Sequence, residues 1–369
     1  MLRTTVPTEK AAVLWNPDNL YYICVMLQAL YSKYIIDGVP QELTPAGLLA
    51  PVLEKAPEQE ADGGTVLDET IDPAPGPIVL DGSKIDNYLA AIQNFERTIP
   101  VPFAAQCTRA RIAEALIDSA WRVGNFRLDD LALTVKWTFN PGTVGNMAAF
   151  YASVESVADY LDALGIALRR CVCESGEFGV KVATPFSGAP LLVDDEMRPD
   201  KQSWLVYVPF DIAEYRLGGS MLAQALGLRG GTAPQLTDAD YFIDCFELIR
   251  ELAEDGILLS AVTVGAGGIA EALRRLCSSG IGTSADLSDV LRASDTDLPH
   301  VLFSEVPGAI IQVRDADFDY IDAEFLLQDV AYYPLGHPVK GGKLSFAAQD
   351  RQGIQTILES LMQNAEGED

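Results

Sequence analysis

The sequence predicts an α+β fold in two domains, and three observations carry that expectation. Segments of helical and strand periodicity alternate between Pro77 and Val313. Glycines punctuate the junctions. Of the 369 residues, 49% are hydrophobic and 21% charged, which supplies apolar surface for a large core. The boundary is expected near residue 213. It gives units at 77–212 and 213–345, between an N-terminal extension (1–76) and a C-terminal helix with an acidic tail (346–369).

Residues 18–36 (DNLYYICVMLQALYSKYII) place apolar side chains at helical spacing, with Asn16-Pro17-Asp18 as the start and Asp37-Gly38 as the stop. The tyrosines Tyr21, Tyr22, Tyr31 and Tyr34 read as a packing stripe. From Glu54 to Pro77 the chain is acidic and rich in Pro and Gly, a loop or linker after which the compact fold is expected to begin. GPIVLDGSK then reads as a strand and turn. CTRARIAEALIDSAWRVG (107–124) carries Ile112, Ala115, Leu116, Ala120 and Val123 at helical spacing. DDLALTVKWTF (129–139) is a strand, and Ala148 to Leu164 is an amphipathic helix closed by Gly165. IALRRCVC, GVKVATPF and SWLVYVPFDI follow as strands, so helices are expected on one face of a mixed sheet. The second domain opens at LGGSMLAQALG (217–227) and continues through the helix ADYFIDCFELIRELAEDG (239–256) and the strand ILLSAVTV. The turn Gly265-Ala266-Gly267-Gly268 and the helix IAEALRRLCSSG come next. The last element is the strand Ala309-Ile310-Ile311-Gln312-Val313, entered through Ser304, Glu305, Pro307 and Gly308.

The 53 acidic and 26 basic side chains leave a formal net charge of -27. Such a field repels phosphate backbones and anionic bilayers, so nucleic acid and membrane surfaces are not expected partners. No apolar run reaches the length of about 20 residues that a membrane span needs. MLRTTVPTEK has neither the apolar core of a secretory signal nor the composition of a transit peptide, so an intracellular protein is expected, in the cytoplasm or, alternatively, an organelle. The six cysteines (Cys24, Cys107, Cys171, Cys173, Cys245, Cys277) lack C-x-x-C spacing and read as free thiols. His300 and His337 stand away from any nucleophile motif, so a triad or a histidine metal centre is not expected.

Two glycine stretches have the form of anion sites. Gly265-Ala266-Gly267-Gly268 joins a strand to a helix, where free backbone N–H groups and the helix dipole suit a phosphate or oxyanion; a tight turn with close strand–helix packing explains it equally well. Gly218-Gly219-Ser220 precedes another helix, with Ser220 as its cap. Asp81-Gly82-Ser83-Lys84 is either a polar turn or a place where Asp81, through Mg²⁺, and Lys84, by a direct ion pair, meet a nucleotide phosphate. Asp129 and Asp130 read as solvated.

The ordered series LGGSMLAQALG, LLSAVTVGAGGIAEALRRLCSSGIG and LFSEVPGAIIQV resembles the C-terminal domain of the family of aminoimidazole ribonucleotide (AIR) synthase and formylglycinamidine ribonucleotide (FGAM) synthase. FGAM synthase is the closer match. Upstream, ARIAEALIDSAWRVGNFRLDDLALTVKWTF and FYASVESVADYLDALGI are similar to its helix–strand and helix segments. The resemblance covers roughly residues 77–340 and is nearest to the second synthase-like module of the large single-chain form. It implies an N-terminal domain whose barrel-forming sheet pairs with another module, and a C-terminal α+β domain. It also implies ATP or ADP with Mg²⁺ as cofactor, and a homodimer or a heterodimer with a synthase-like module, within a larger assembly.

The departures bear on activity. Where the family tends to D-x-S-D-G-G, this chain reads Thr263-Val264-Gly265-Ala266-Gly267-Gly268, so both aspartates are replaced. Val135 or Lys136 stands near an expected acid, and Cys173-Glu174-Ser175-Gly176 lacks the lysine of G-K-D-S. By resemblance, the retained binding residues are Asp81, Lys84, Gly265, Gly267, Gly268 and Glu305, with Glu305 at a strand mouth facing the inter-domain cleft. Catalytic residues and metal ligands stay unassigned. The expectation is an FGAM-synthase-like, nucleotide-binding or supporting module without complete glutamine-dependent synthesis. The alternatives are an inactive structural or interaction subunit, and an ATP-dependent relative acting on another small molecule.

Overall fold

The computed structural model describes residues 28–55, 65–73, 76–277 and 280–347. It opens with β1 (Lys33–Ile36), β2 (Val39–Pro40), α1 (Pro45–Leu49) and β3 (Val66–Glu69). β1 pairs antiparallel with β2 and parallel with β3, in register Lys33↔Val66. This corrects two expectations. The helical reading of 18–36 ends in a strand, because Tyr34 turns into the core and the Ile35-Ile36 pair, stiff at χ1, finds a partner strand in Val66–Glu69. Residues 18–27 of that reading lie outside the described residues. The acidic stretch read as linker contains that partner strand. Residues before 77 therefore belong to the packed fold: Ala29, Leu30, Tyr34, Leu49 and Val52 join the main core.

Residues 76–81, expected as a strand, pair with no other strand and lead into a short 3-10 turn (Gly82–Lys84). Next come α2 (Ile85–Ile92), α3 (Ala104–Ala120), β4 (Ala132–Phe139), α4 (Asn146–Leu164), β5 (Ala167–Ser175) and β6 (Gly179–Ala183). β4 is the centre of a three-stranded sheet, parallel to β5 and antiparallel to β6. Its inward residues Val135, Trp137 and Phe139 pack beneath α3 and α4, as the strict alternation in the sequence requires. α4 stops at Gly165, whose φ of 68° lets the Gly165 and Ile166 amides close back on Asp162 and Leu161. Its N-terminal cap residue is Gly145, which has no side chain to offer. Glu69 of β3 takes that role, its Oε2 accepting from the Met147 and Ala148 amides at 3.1 and 3.4 Å.

The second half comprises β7 (Ser203–Pro209), α5 (Met221–Ala225), α6 (Ala239–Glu254), β8 (Leu258–Val264), α7 (Gly268–Leu276), β9 (Ile281–Asp286), α8 (Ser288–Ser294), α9 (Leu298–Phe303), β10 (Gly308–Arg314), α10 (Asp315–Leu327), β11 (Tyr333–Gly336), β12 (Pro338–Lys340) and β13 (Ser345–Ala347). β11-β7-β10-β8 form an antiparallel sheet in which β7, β10 and β8 are buried on both faces, so SWLVYVPFDI, expected in the sheet of the first domain, is paired in the second half instead. Val206, Val208, Ala309, Ile311 and Val313 face the core shared with α3, α4 and α6. Leu205, Tyr207, Val262, Val264 and Ile310 face a second core with α2, α7 and α9. That two-sided burial accounts for the nearly unbroken apolar runs of these strands. β13 stands where the C-terminal helix was expected to begin, and residues 348–369 lie outside the described residues. Each sheet is open, and none closes into a barrel among the described residues. No helix among them is long and apolar enough to cross a membrane.

Candidate functional site

The glycine turn after β8 holds the site together. Gly267 and Gly268 have φ of 77° and 66°, and the Gly268 amide donates to the Gly265 carbonyl at 2.8 Å. A Cβ on Gly268 would stand 2.5 Å from the Leu302 carbonyl oxygen, so this turn presses directly on the segment that carries Glu305. Glu305, 6% exposed, reaches back across that contact. Its Oε1 accepts from the Gly267 amide at 2.9 Å and from the Met221 amide, at the start of α5, at 2.7 Å. Ser220 caps α5 as expected, its hydroxyl accepting from the Ala223 amide at 3.2 Å.

Both glycine-led helix starts thus share one internal carboxylate. On its other side, Oε2 meets Arg97 Nη1 at 3.1 Å, and the same Nη1 donates to Glu114 Oε1 of α3 at 2.9 Å. Burial raises the Glu305 carboxyl above the ordinary range, opposed by the Arg97 charge and the two amides. Burial disfavours the Arg97 charge, but Glu114 and Glu305 outweigh it and hold the guanidinium charged. Gly265 is needed here for space: a Cβ would come within 2.4 Å of Glu114 Cδ.

Outside this knot lies a cleft of about 560 Å³ between α3, β6 and the glycine turn, lined among others by Arg111, Glu114, Asp118, Lys181, Glu271 and Arg275. Three of these are acids, yet each is held by an arginine that does not line the cleft: Glu114 by Arg97, Asp118 by Arg122 at 2.8 Å, and Glu271 by Arg274 at 2.5 Å. The three cations that do line it have no carboxylate within ion-pair distance among the described residues. Arg111 donates to the carbonyls of Val180 (3.0 Å) and Thr98 (3.2 Å), and Arg275 to that of Thr263. The cleft is therefore effectively cationic within a chain of net charge -27. Thr263 accepts from Trp121 Nε1 at 2.9 Å.

Among the described residues, no group of three or more His, Cys, Asp or Glu could hold a metal ion. With the cleft carboxylates engaged by arginines, the donor set does not fit Mg²⁺, which asks for free oxygen ligands. It fits an anion.

The expected site residues divide. Gly265, Gly267, Gly268 and Glu305 come together, and of these only Gly265 lines the cleft; Glu305 is buried behind it instead of facing it. Asp81 and Lys84 pair with each other at 3.5 Å on the surface, about half exposed, and neither lines the cleft. Hydrogen bonds from Ser83 lower the Asp81 carboxyl, as a turn-capping aspartate requires. Sequence reasoning missed Arg97, Glu114, Arg111, Lys181 and Arg275. Arg97 sits in the coil NFERTIP without periodicity, and no local signal marks it.

No family model matches the chain. It is 24% identical, over a 270-position alignment, to the phosphoribosylformylglycinamidine synthase of Homo sapiens, taking in 69% of this chain and 20% of that protein. Its structure is similar to T. maritima PurL complexed with FGAR, with a TM-score of 0.51 and 15% identity, covering 70% of this chain and 43% of the other. The fold is that of the FGAM synthase and AIR synthase-like superfamily. This AIR-synthase-like chain spans about a fifth of the length of its curated relative. Within the superfamily fold, Glu305, Arg97 and Glu114 fasten the segment before β10, the glycine turn, α5 and α3 to one another.

Proposed function

We propose that this FGAM-synthase-like chain is a supporting module that binds a phosphate-bearing ligand of the nucleotide class, and that it does not by itself complete glutamine-dependent synthesis. The observation that carries this reading is the division of charge in the cleft. Arg111, Lys181 and Arg275 face the cavity without carboxylate partners, while each cleft carboxylate is neutralised by an arginine outside it. An anionic ligand supplies the missing counter-charge. ATP and ADP are the candidates that the resemblance brings. Magnesium is not required of the protein side, since the carboxylates are already engaged.

The competing reading, a structural or interaction subunit, has its own support. The Gly267 and Met221 amides, which a phosphate would otherwise take, are filled by Glu305. Both readings take the partner to be a second synthase-like module, either a copy of this chain or a different one. Both keep a place inside the cell.

Isothermal titration of the full chain with ATP and with ADP, in the presence and absence of Mg²⁺, separates the readings. The nucleotide reading expects binding without added metal, weakened about tenfold or more by Lys181→Glu or Arg275→Glu. Absence of heat with every nucleotide leaves the interaction reading. Binding that survives both charge reversals places the ligand elsewhere and sinks the cleft assignment.

A further inference from the structure

Helix α10 (Asp315–Leu327) is apolar on two faces. Phe318, Ile321 and Phe325 pack into the main core, Phe318 against Trp204 with ring centroids 5.5 Å apart and Phe325 against Tyr332 at 4.8 Å. On the opposite side Ala316, Tyr320, Ala323 and Leu327 are exposed, Tyr320 at 47% and Leu327 at 80%. Their spacing of i, i+4, i+7 and i+11 sets them in one line along the helix, about 16 Å long. Leu326, also exposed, widens its end. A surface helix needs one apolar face to hold it to the core; nothing among the described residues covers the second.

Acids border this stripe on both sides. At about 100° per residue, Asp315 and Asp319 fall along one edge and Asp317 and Glu324 along the other. Of these, only Asp317 has a cation within ion-pair distance among the described residues, Arg314 at 3.4 Å. Glu324, with Asp255 and Glu251 at the end of α6, raises the Tyr320 phenol above its ordinary range, so acids surround the ring itself. Small Ala316 and Ala323 alternate with large Tyr320 and Leu327, which gives a facing helix both holes to fill and knobs to receive. The chain itself offers no match for such a border. A second copy of α10 would set acid against acid, residues 348–369 bring Asp350, Glu359, Glu366, Glu368 and Asp369 against Arg351 alone, and residues 1–27 hold only Arg3 and Lys10.

We propose that the outer face of α10 docks an amphipathic helix of another protein, whose apolar stripe is bordered on both sides by lysine or arginine. Covering Tyr320 and Leu327 supplies the attraction. The acids along the two edges choose the partner and hasten the encounter, since ion pairs at a solvated rim act more on recognition and association rate than on affinity. No residue of α10 lines the cationic cleft, so docking here is independent of what the cleft binds.

The test is fluorescence anisotropy of a labelled synthetic helix of three heptads, with leucine at the two seam positions of each heptad and lysine beside them, titrated with the full chain at about 150 mM salt. A peptide with glutamate in place of every lysine is the control. The lysine peptide is expected to bind, and the glutamate peptide to bind at least about tenfold more weakly. Leu327→Ser and Tyr320→Ser remove exposed apolar surface without changing charge, and each is expected to weaken the lysine peptide about tenfold at unchanged melting temperature. Asp86→Asn, which removes an exposed acid on α2 across the central sheet, should leave binding as it was. No binding of the lysine peptide, equal binding of the glutamate peptide, or undiminished binding to both serine variants overturns the proposal. A dimer of the full chain in sedimentation that Leu327→Ser dissolves would assign the face to a second copy, and overturns it as well.

Discussion

At the scale of single residues, Glu305 ties three separate parts of the chain together. Its two oxygens serve the Gly267 amide, the Met221 amide and Arg97, and Arg97 passes the connection to Glu114. Glu305 and Arg97 lie where water scarcely reaches, so each depends on the other for compensation. Glu305→Ala leaves a buried guanidinium short of one partner and two amides unpaired. The expected cost is about 3–5 kcal/mol in urea unfolding. Glu305→Gln keeps a carbonyl oxygen for the two amides and should cost clearly less. Equal, small losses for both substitutions would show that the network contributes little. The glycines around it follow from the same packing: Gly265 yields space to Glu114, and Gly268 to the carbonyls before Glu305.

At the scale of elements, helix ends are closed by side chains from distant parts of the chain. The C-terminus of α3 receives Arg250 of α6, which is 1% exposed. Its guanidinium donates to the carbonyls of Ala120 (2.9 Å), Arg122 (3.1 Å) and Gly124, and lies 4.4 Å above the Phe126 ring. These are carbonyls that a helix end otherwise leaves to water. Arg250→Met keeps the bulk and removes the donors, and should lower stability by about 3 kcal/mol. A shift in the urea midpoint at unchanged slope would register it; a loss below about 1 kcal/mol would mean that water replaces the guanidinium without penalty. Glu69 on the N-terminus of α4 is the mirror case, an acid at the positive end of a helix dipole.

At the scale of the whole molecule, the excess of 53 acidic over 26 basic side chains sets a repulsive background. Few of the surface ion pairs are buried enough to offset it. Raising ionic strength from about 10 mM to about 150 mM shortens the Debye length from about 30 Å to about 8 Å and should raise the melting temperature. A melting temperature that falls over this range would mean that attractive pairs, not net repulsion, dominate the electrostatics. The same background makes the cationic cleft conspicuous, because the arginines that pair its three carboxylates stand outside its wall.

The order of elements from α3 to α7, and the strand β10, was legible in the sequence, because hydrophobic period and glycine stops act over a few residues; β9, α8 and α9 between them went unread. Gly165 and Ser220 act as the sequence implies, and the superfamily fold follows from that order. Local signals failed where the partner is distant. Ile35-Ile36 became a strand because Val39-Pro40 and Val66–Glu69 lie on either side of it, and the apparent linker supplied the second partner. The site divides the same way. The glycine turn and Glu305 stand out as a motif, but whether the amides are open or filled depends on a side chain 38 residues away. The cleft's charge depends on which arginine each carboxylate meets. The sequence by itself determined the period of each element and the sign of the overall charge, since both are sums over neighbours. Tertiary structure alone decided which charges are compensated, because hydrogen bonds and ion pairs act over a few ångströms between residues that only folding brings together.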